Sequence, residues 1–192
     1  MRALVILGLI ALMAPALATP VGSPQIVDPT LDVTADPFAA VVGVPEPSID
    51  IISVTFETQG ADLYVRYRVA NVSFAPLANS DRTYSTFFRT DTHDEVELSA
   101  ARLGGSWSTF ISCYDAQALT CQSRLQGDAG PIVNKSANEV VFHAPWESIG
   151  SAMSQTHAST SVVYCYCADL RPNFGMEDFA PNAGYGADYA RP

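Results

Sequence analysis

Three features of the sequence predict an all-β chain, folded as an antiparallel two-layer β-sandwich (jelly-roll or immunoglobulin-like) of about eight strands with one short helical turn. The first is the alternation of apolar and polar residues in two runs of "DIISVTFETQGADLYVRYRV", from Asp50 to Val69, joined by a glycine turn. The second is rhythm: short runs of this kind recur along the chain with Gly and Asp between them, about every 8 to 15 residues. The third is composition, because most of these runs are built from Thr, Ser, Phe, Tyr and Val, which fit a pleated surface better than a helix.

The chain opens on "MRALVILGLIALMAPALA", one arginine ahead of an apolar run that ends in Ala16, Leu17 and Ala18. That is the pattern of an export signal over residues 1–18, cleaved after Ala18. Pro15 interrupts the run, which falls short of the roughly 20 residues a spanning helix needs. The expectation is a mature chain without membrane insertion, secreted or held at a cell surface. Residues 19–49 form an extended lead-in rich in Pro and Asp, where recurring prolines forbid a long helix or a central strand. Residues 50–192 are assigned to the sandwich domain.

In the first hairpin Ile52, Val54 and Phe56 should share one face, with Ser53, Thr55 and Glu57 on the other. Gln59, Gly60, Ala61 and Asp62 turn the chain. On the return, Leu63, Val65, Tyr67 and Val69 should face the core while Tyr64, Arg66 and Arg68 face water. Further strands are expected near 82–90, 94–103, 106–115, 120–127, 139–144 and 159–171. "EVELSAARL" carries good helix formers but sits among strand-rich neighbours, so it is read as a strand. Pro145 halts the run at 139–144 and starts a helical turn from Trp146 to about Met153 that would cap one end of the sandwich. The tail "PNFGMEDFAPNAGYGADYARP" reads as a loop laid over the sandwich, because it is rich in Gly, Pro and Asn.

Charge narrows the partners. Twenty acidic side chains face ten basic ones, for a net charge of −10, and Lys135 is the only lysine. An acidic surface repels phosphate backbones and anionic headgroups, so no nucleic-acid partner is expected, and extracellular glycans or surface proteins are the better fit.

Three segments stand in order: "DPTLDVTADP" before "SIDIISVTFETQGADLYVRYRVANVS", then "NKSANEVVFHAPWESIG", and last "DFAPNAGYGADYARP". Together they resemble the secreted β-sandwich modules similar to DOMON and family 9 carbohydrate-binding-like domains of archaeal and bacterial surface proteins. In such modules an acidic loop precedes a "DI-x-S-V" strand, and an "N-x-V-x-F-x-x-P" strand leads into an "x-x-I-G" turn. The resemblance covers most of the mature chain. It implies a sandwich, with relatives that bind sugars, bind haem or decorate larger exported proteins, so it specifies fold better than ligand.

Asp28, Asp32, Asp36 and Asp50 are the candidate metal ligands: their carboxylates suit Ca²⁺, which would staple the lead-in to the first strand. Their spacing is not that of an EF-hand, and Asp-Pro pairs also begin turns. A second acidic group, Asp91, Asp94, Glu95 and Glu97 around His93, reads as an exposed strand junction. Cys113, Cys121, Cys165 and Cys167 form an even set in a chain read as exported, which calls for disulfides. Cys165 and Cys167, two apart on a strand, would bridge each other only with strain, so bonds from that strand to Cys113 and Cys121 compete with a hairpin closed between Cys113 and Cys121. A four-cysteine zinc or copper site lacks the usual "C-x₂-C" knuckles.

Trp107, Tyr185 and Tyr189 are the candidate ligand-binding residues, since aromatic faces stack on sugars. Trp146 follows a strand-ending proline and is read as packing beneath the turn. His93, His143 and His157 are the only histidines, and neither "G-x-S-x-G" nor "H-E-x-x-H" is present. All three are read as surface histidines. Met153 and Met176 have no neighbours that mark a haem ligand. Asn71 in "NVS" and Asn134 in "NKS" are glycosylation sequons. The expectation is an exported non-catalytic binding or adhesion module, carbohydrate-binding and calcium-stabilised. The alternatives are a structural component of a cell-surface or envelope assembly and a secreted hydrolase.

Overall fold

The computed structural model describes residues 24–31, 33–35, 47, 50–73, 81–90, 95–103, 106–114, 124–126, 130–149, 160–166, 175–181, 186, 187 and 189. The fold is all-β and antiparallel, in two sheets. The strands are β1 (Ile26–Val27), β2 (Thr34–Ala35), β3 (Ile51–Gln59), β4 (Asp62–Val69), β5 (Asp81–Phe88), β6 (Glu95–Leu103), β7 (Ser106–Tyr114), β8 (Arg124–Gln126), β9 (Ile132–Asn134), β10 (Glu139–Pro145), β11 (Thr160–Tyr166) and β12 (Gly175–Ala180). Sheet A has the order β1-β3-β4-β10-β9, and sheet B the order β2-β12-β11-β5-β6-β7-β8. Among the described residues the helical content is one 3₁₀ turn, Trp146–Ser148. The four strands β1, β2, β8 and β9 run for only two or three residues, which leaves the longer ones to build the layers.

The β3–β4 hairpin shows how sequence becomes core. Gly60 sits at φ 62, in the left-handed region that a type II′ turn requires at its first central position, and nothing crowds its missing side chain. From the turn, paired residues run back from Gln59 with Asp62 to Ile51 with Val69. Leu63, Val65, Tyr67 and Val69 are all fully buried, as the alternation predicts. On β3 the register slips between Ile51 and Ser53. That bulge buries Ile51 completely and leaves Ile52 half-buried, so the first inward residue is Ile51 rather than the expected Ile52.

The core lies between the two inner faces. Phe56 of sheet A meets Phe88 of sheet B at 6.4 Å between ring centroids, and Tyr67 meets Tyr84 edge-on at 5.5 Å. Tyr67 also joins the layers by polar bonds, because its hydroxyl lies 2.6 Å from both the Ser85 carbonyl and the Thr86 Oγ1. A phenol has one proton to give, so it donates to the carbonyl and accepts from the threonine.

Part of the tail read as loop belongs to sheet B, and the extended lead-in supplies edge strands to both sheets. Gly175–Ala180 is β12, paired with β11 from Ser161–Ala180 to Tyr166–Gly175. The lead-in supplies β1 against β3 and β2 against β12, so residues 26–35 cross from the edge of sheet A to the edge of sheet B. The strand expected at 120–127 reduces, among its described residues, to β8. The helical turn is shorter than expected at its described end: Trp146 is 1% exposed, and its N–H donates to the Ala61 carbonyl at the hairpin tip.

Candidate functional site

The outer face of sheet A carries a polar cluster. β10 pairs with β4 so that His143 lies directly opposite Tyr64, and Pro145 opposite Asp62. The Tyr64 and His143 rings stack with centroids 4.7 Å apart and planes 14° from parallel. The Asp62 carboxylate sits 3.1 Å from His143 Nδ1, which orients the imidazole and favours its proton on that nitrogen. Both side chains are substantially exposed, 40% for His143 and 29% for Asp62. β9 pairs only with Glu139, Val140 and Val141 of β10, so His143 stands beyond that ladder. Burial, and then the neighbouring Asp62 charge, raise the Tyr64 phenol above its ordinary value of about 10. Tyr64 therefore stays a neutral hydrogen-bonding ring across the physiological range.

One row further along, Arg66 lies between two carboxylates. Its guanidinium reaches Glu57 at 3.3 Å and Glu139 at 2.9 Å. Alternation places Arg66 on the water side, yet it is 4% exposed, with Thr55, Glu57 and Val141 of the same face also buried. The expectation of a wet face is corrected here: the side chains of this row cover one another, and the charges are paired because an unpaired buried ion is costly. No signal within the hairpin reveals this, since Glu139 arrives from β10.

The calcium candidates divide. Asp28 and Asp50 are buried at 5% and 2%, whereas Asp32 and Asp36 lie outside the described residues. Both Asp50 carboxylate oxygens accept from the Leu31 N–H, at 3.2 and 3.1 Å. Leu31 holds φ 72, an uncommon conformation for a leucine, and the carboxylate's grip on its amide fixes that turn. The Asp28 N–H donates to the Ile52 carbonyl. Asp178, absent from the sequence-based candidates, is 1% exposed and accepts the Ile51 N–H at 2.6 Å. Among the described residues no three His, Cys, Asp or Glu side chains are grouped as a metal centre. Lead-in, first strand and last strand are thus stapled through backbone amides. Glu95 and Glu97 of the second acidic group are strand residues of β6, and Glu97 accepts the Ser85 and Ser99 hydroxyls.

The aromatic candidates also divide. Tyr189 stacks on Trp146, with centroids 6.4 Å apart and planes 9° from parallel, and meets Phe56 edge-on at 6.0 Å. Its hydroxyl pairs with Thr58 Oγ1 at 3.0 Å, so the ring latches the tail over the core. The tail also donates from the Ala187 N–H to the Gln25 carbonyl, while Gln25 Oε1 accepts the Phe56 N–H on the edge of β3. Trp107 is half-buried against the core, 6.0 Å from Tyr84. Gly130 pins it: a Cβ added there would fall 2.7 Å from the Trp107 Cβ. Tyr185 lies outside the described residues.

Register places Cys113 opposite Val96 on β7, and Cys165 opposite Arg82 and Met176 on β11. β5 and β6 intervene. Cys121 and Cys167 lie outside the described residues, as do His93 and His157. Asn71 is exposed just past β4 and its Oδ1 accepts the Ser73 N–H, while Asn134 ends β9, half-buried, and its Oδ1 accepts the Ser136 hydroxyl. No described helix is long and apolar enough to cross a membrane.

The chain matches no protein-family model, no curated protein and no solved structure.

Proposed function

We propose that this chain is an exported, non-catalytic binding or adhesion module for extracellular carbohydrate, secreted or displayed at a cell surface. The observation that carries the reading is the stacked Tyr64–His143 pair braced by Asp62 on the outer face of sheet A. It unites flat aromatic surface with carboxylate and imidazole Nε2 acceptors and a phenol hydroxyl, the combination that hydroxyl-rich ligands call for. Adjacent strands hold it, which gives more precise placement than a loop would. A panel of neutral oligosaccharides titrated against the purified chain tests this. Saturable binding that is lost in both Tyr64→Ala and His143→Ala, with the β-sheet circular dichroism retained, supports it. Binding that ignores both substitutions overturns it, and concentration-dependent multimers without sugar binding favour the envelope component instead.

Calcium belongs to the same proposal as a stabilising ion. Asp28 and Asp50 are the described carboxylates that would hold it, and carboxylate oxygens keep lone pairs beyond those engaged by amides. Melting in calcium against chelator is the check, with a higher melting temperature in calcium expected.

The His143–Asp62 pair supports a second reading, because a histidine oriented by a carboxylate is also the base of many hydrolases. Turnover in a glycoside and ester substrate screen, abolished by His143→Ala, would establish it over the first.

A further inference from the structure

Two segments of the form Asn-x-Ser meet at one end of sheet A. Val69 closes β4, and its N–H donates to the Asn138 carbonyl in the turn between β9 and β10. The Val72 N–H donates to Asn138 Oδ1 at 3.3 Å, and the Asn71 N–H to the Pro47 carbonyl at 2.8 Å. The backbone around Asn71 is thus anchored to two other segments. Val72 is buried and packs with the core, whereas Asn71 and Ser73 on either side of it are exposed. Asn71 Oδ1 accepts the Ser73 N–H at 3.0 Å, which occupies the amide oxygen and leaves the amide nitrogen and the Ser73 hydroxyl unbonded among the described residues. Asn134 is the opposite case. It ends β9 half-buried, and its Oδ1 takes both the Ser136 hydroxyl at 2.8 Å and the Ala137 N–H at 3.3 Å. That serine hydroxyl is already spent within the turn.

We propose that Asn71 is an N-glycan attachment site presented by the folded chain, and that folding closes the matching site at Asn134. Transfer to Asn-x-Ser needs an asparagine side chain that can enter the transferase and a serine hydroxyl free to be read there. Asn71 and Ser73 supply both from one fixed turn. The donor is an oligosaccharide linked to a lipid pyrophosphate. Asn71 Nδ2 attacks its anomeric carbon, and the new N–C bond forms as the C–O bond to the pyrophosphate breaks. The nitrogen gives up one proton, and the lipid pyrophosphate leaves with the bonding pair. Five residues of β4, roughly 16 Å at about 3.3 Å each, separate Tyr64 from Val69, so the glycan is carried at the end of sheet A away from the Tyr64–His143 pair. The inference rests on the export part of the proposed function, because such donors are displayed on the side of the membrane that exported chains reach.

Transfer to the purified chain tests this. The folded mature chain is incubated with a single-subunit oligosaccharyltransferase that reads Asn-x-Ser alone, together with its lipid-linked oligosaccharide, and followed by intact mass and peptide mapping. One glycan is expected, at Asn71, absent in Asn71→Gln and in Ser73→Ala and retained in Asn134→Gln. Synthetic peptides spanning residues 67–75 and 130–138 should both accept it. Asn134 should react about tenfold more slowly in the folded chain than in its peptide, the scale of a hydrogen bond that must open first. An unmodified Asn71 on the folded chain overturns the proposal. So does modification of Asn134 as fast as in its peptide, or a peptide 130–138 that is itself refused. Because the reaction uses purified chain, its failure leaves export standing, which loss of residues 1–18 in a secreting host reports separately.

Discussion

Arg66 and Arg102 both sit in central strands, yet they live by opposite rules. Arg66 points from the outer face and is buried, clamped by Glu57 and Glu139. Arg102 points from the inner face and stays half-buried, with an arginine and a tryptophan as its cross-strand neighbours. The face of a strand therefore does not decide whether a charge is dry. What decides is which partners the neighbouring strands deliver.

The largest expected effect comes from breaking the clamp. Arg66→Ala strands two carboxylates and should cost about 3–5 kcal/mol in urea unfolding. Replacing Arg66 together with Glu57 and Glu139 by apolar residues of similar volume should recover most of that loss, since the desolvation penalty goes with the charges. If the single and triple variants are equally unstable, the row is held by packing rather than by charge.

Next is the bond that joins the layers. Tyr67→Phe leaves the buried Ser85 carbonyl and Thr86 hydroxyl without their phenol partner. A loss of about 1–3 kcal/mol is expected, read as a lower denaturation midpoint with an unchanged slope. Gly130→Ala forces a methyl against Trp107 and should cost about 1–3 kcal/mol, with a shifted tryptophan emission. Arg102→Gln completes the contrast: it should move stability by less than about 0.5 kcal/mol, because no ion pair among the described residues is broken.

The smallest effect is an alkaline one. Tyr64 titrates above its ordinary value of about 10 in the folded chain. The unfolded chain then loses this proton first, so stability falls as pH rises past about 10 towards the folded-state value. Tyr64→Phe should flatten that part of the stability profile. A profile identical to wild type would show that the phenol is solvated like a free tyrosine.

Much of the layer architecture is legible locally. Leu63 to Val69 alternates without exception, and each expected inward residue is buried. Legibility stops where a distant strand intervenes. The bulge at Ile51/Ser53 moves one residue across the sheet, a shift that alternation cannot reveal. "GMEDFA" contains Gly, Glu and Asp, poor strand formers, and is extended because β11 pairs along its whole length. Likewise His143 and Asp62 stand 81 positions apart, so their pairing depends on β10 joining β4. The sequence marks His143 as exposed and gives no hint of its partner. Trp107 and Tyr189 were readable as aromatics in search of a surface. Which of them the core would claim depended on Trp146, Phe56 and Gly130, set by tertiary contacts.

The lead-in's crossing between the two sheet edges sets an order of events for a chain delivered end first. Residues 34–35 are among the first to emerge, yet they pair with residues 176–177, and Asp178 reaches back 127 positions to the amide of Ile51. Sheet B's border and the junction between layers therefore close only after residues 176–178 have arrived. Contacts of such long span make for slow assembly. A nascent molecule of this kind must wait with its first strand edges open, which makes the interval before the last strand docks its most vulnerable moment.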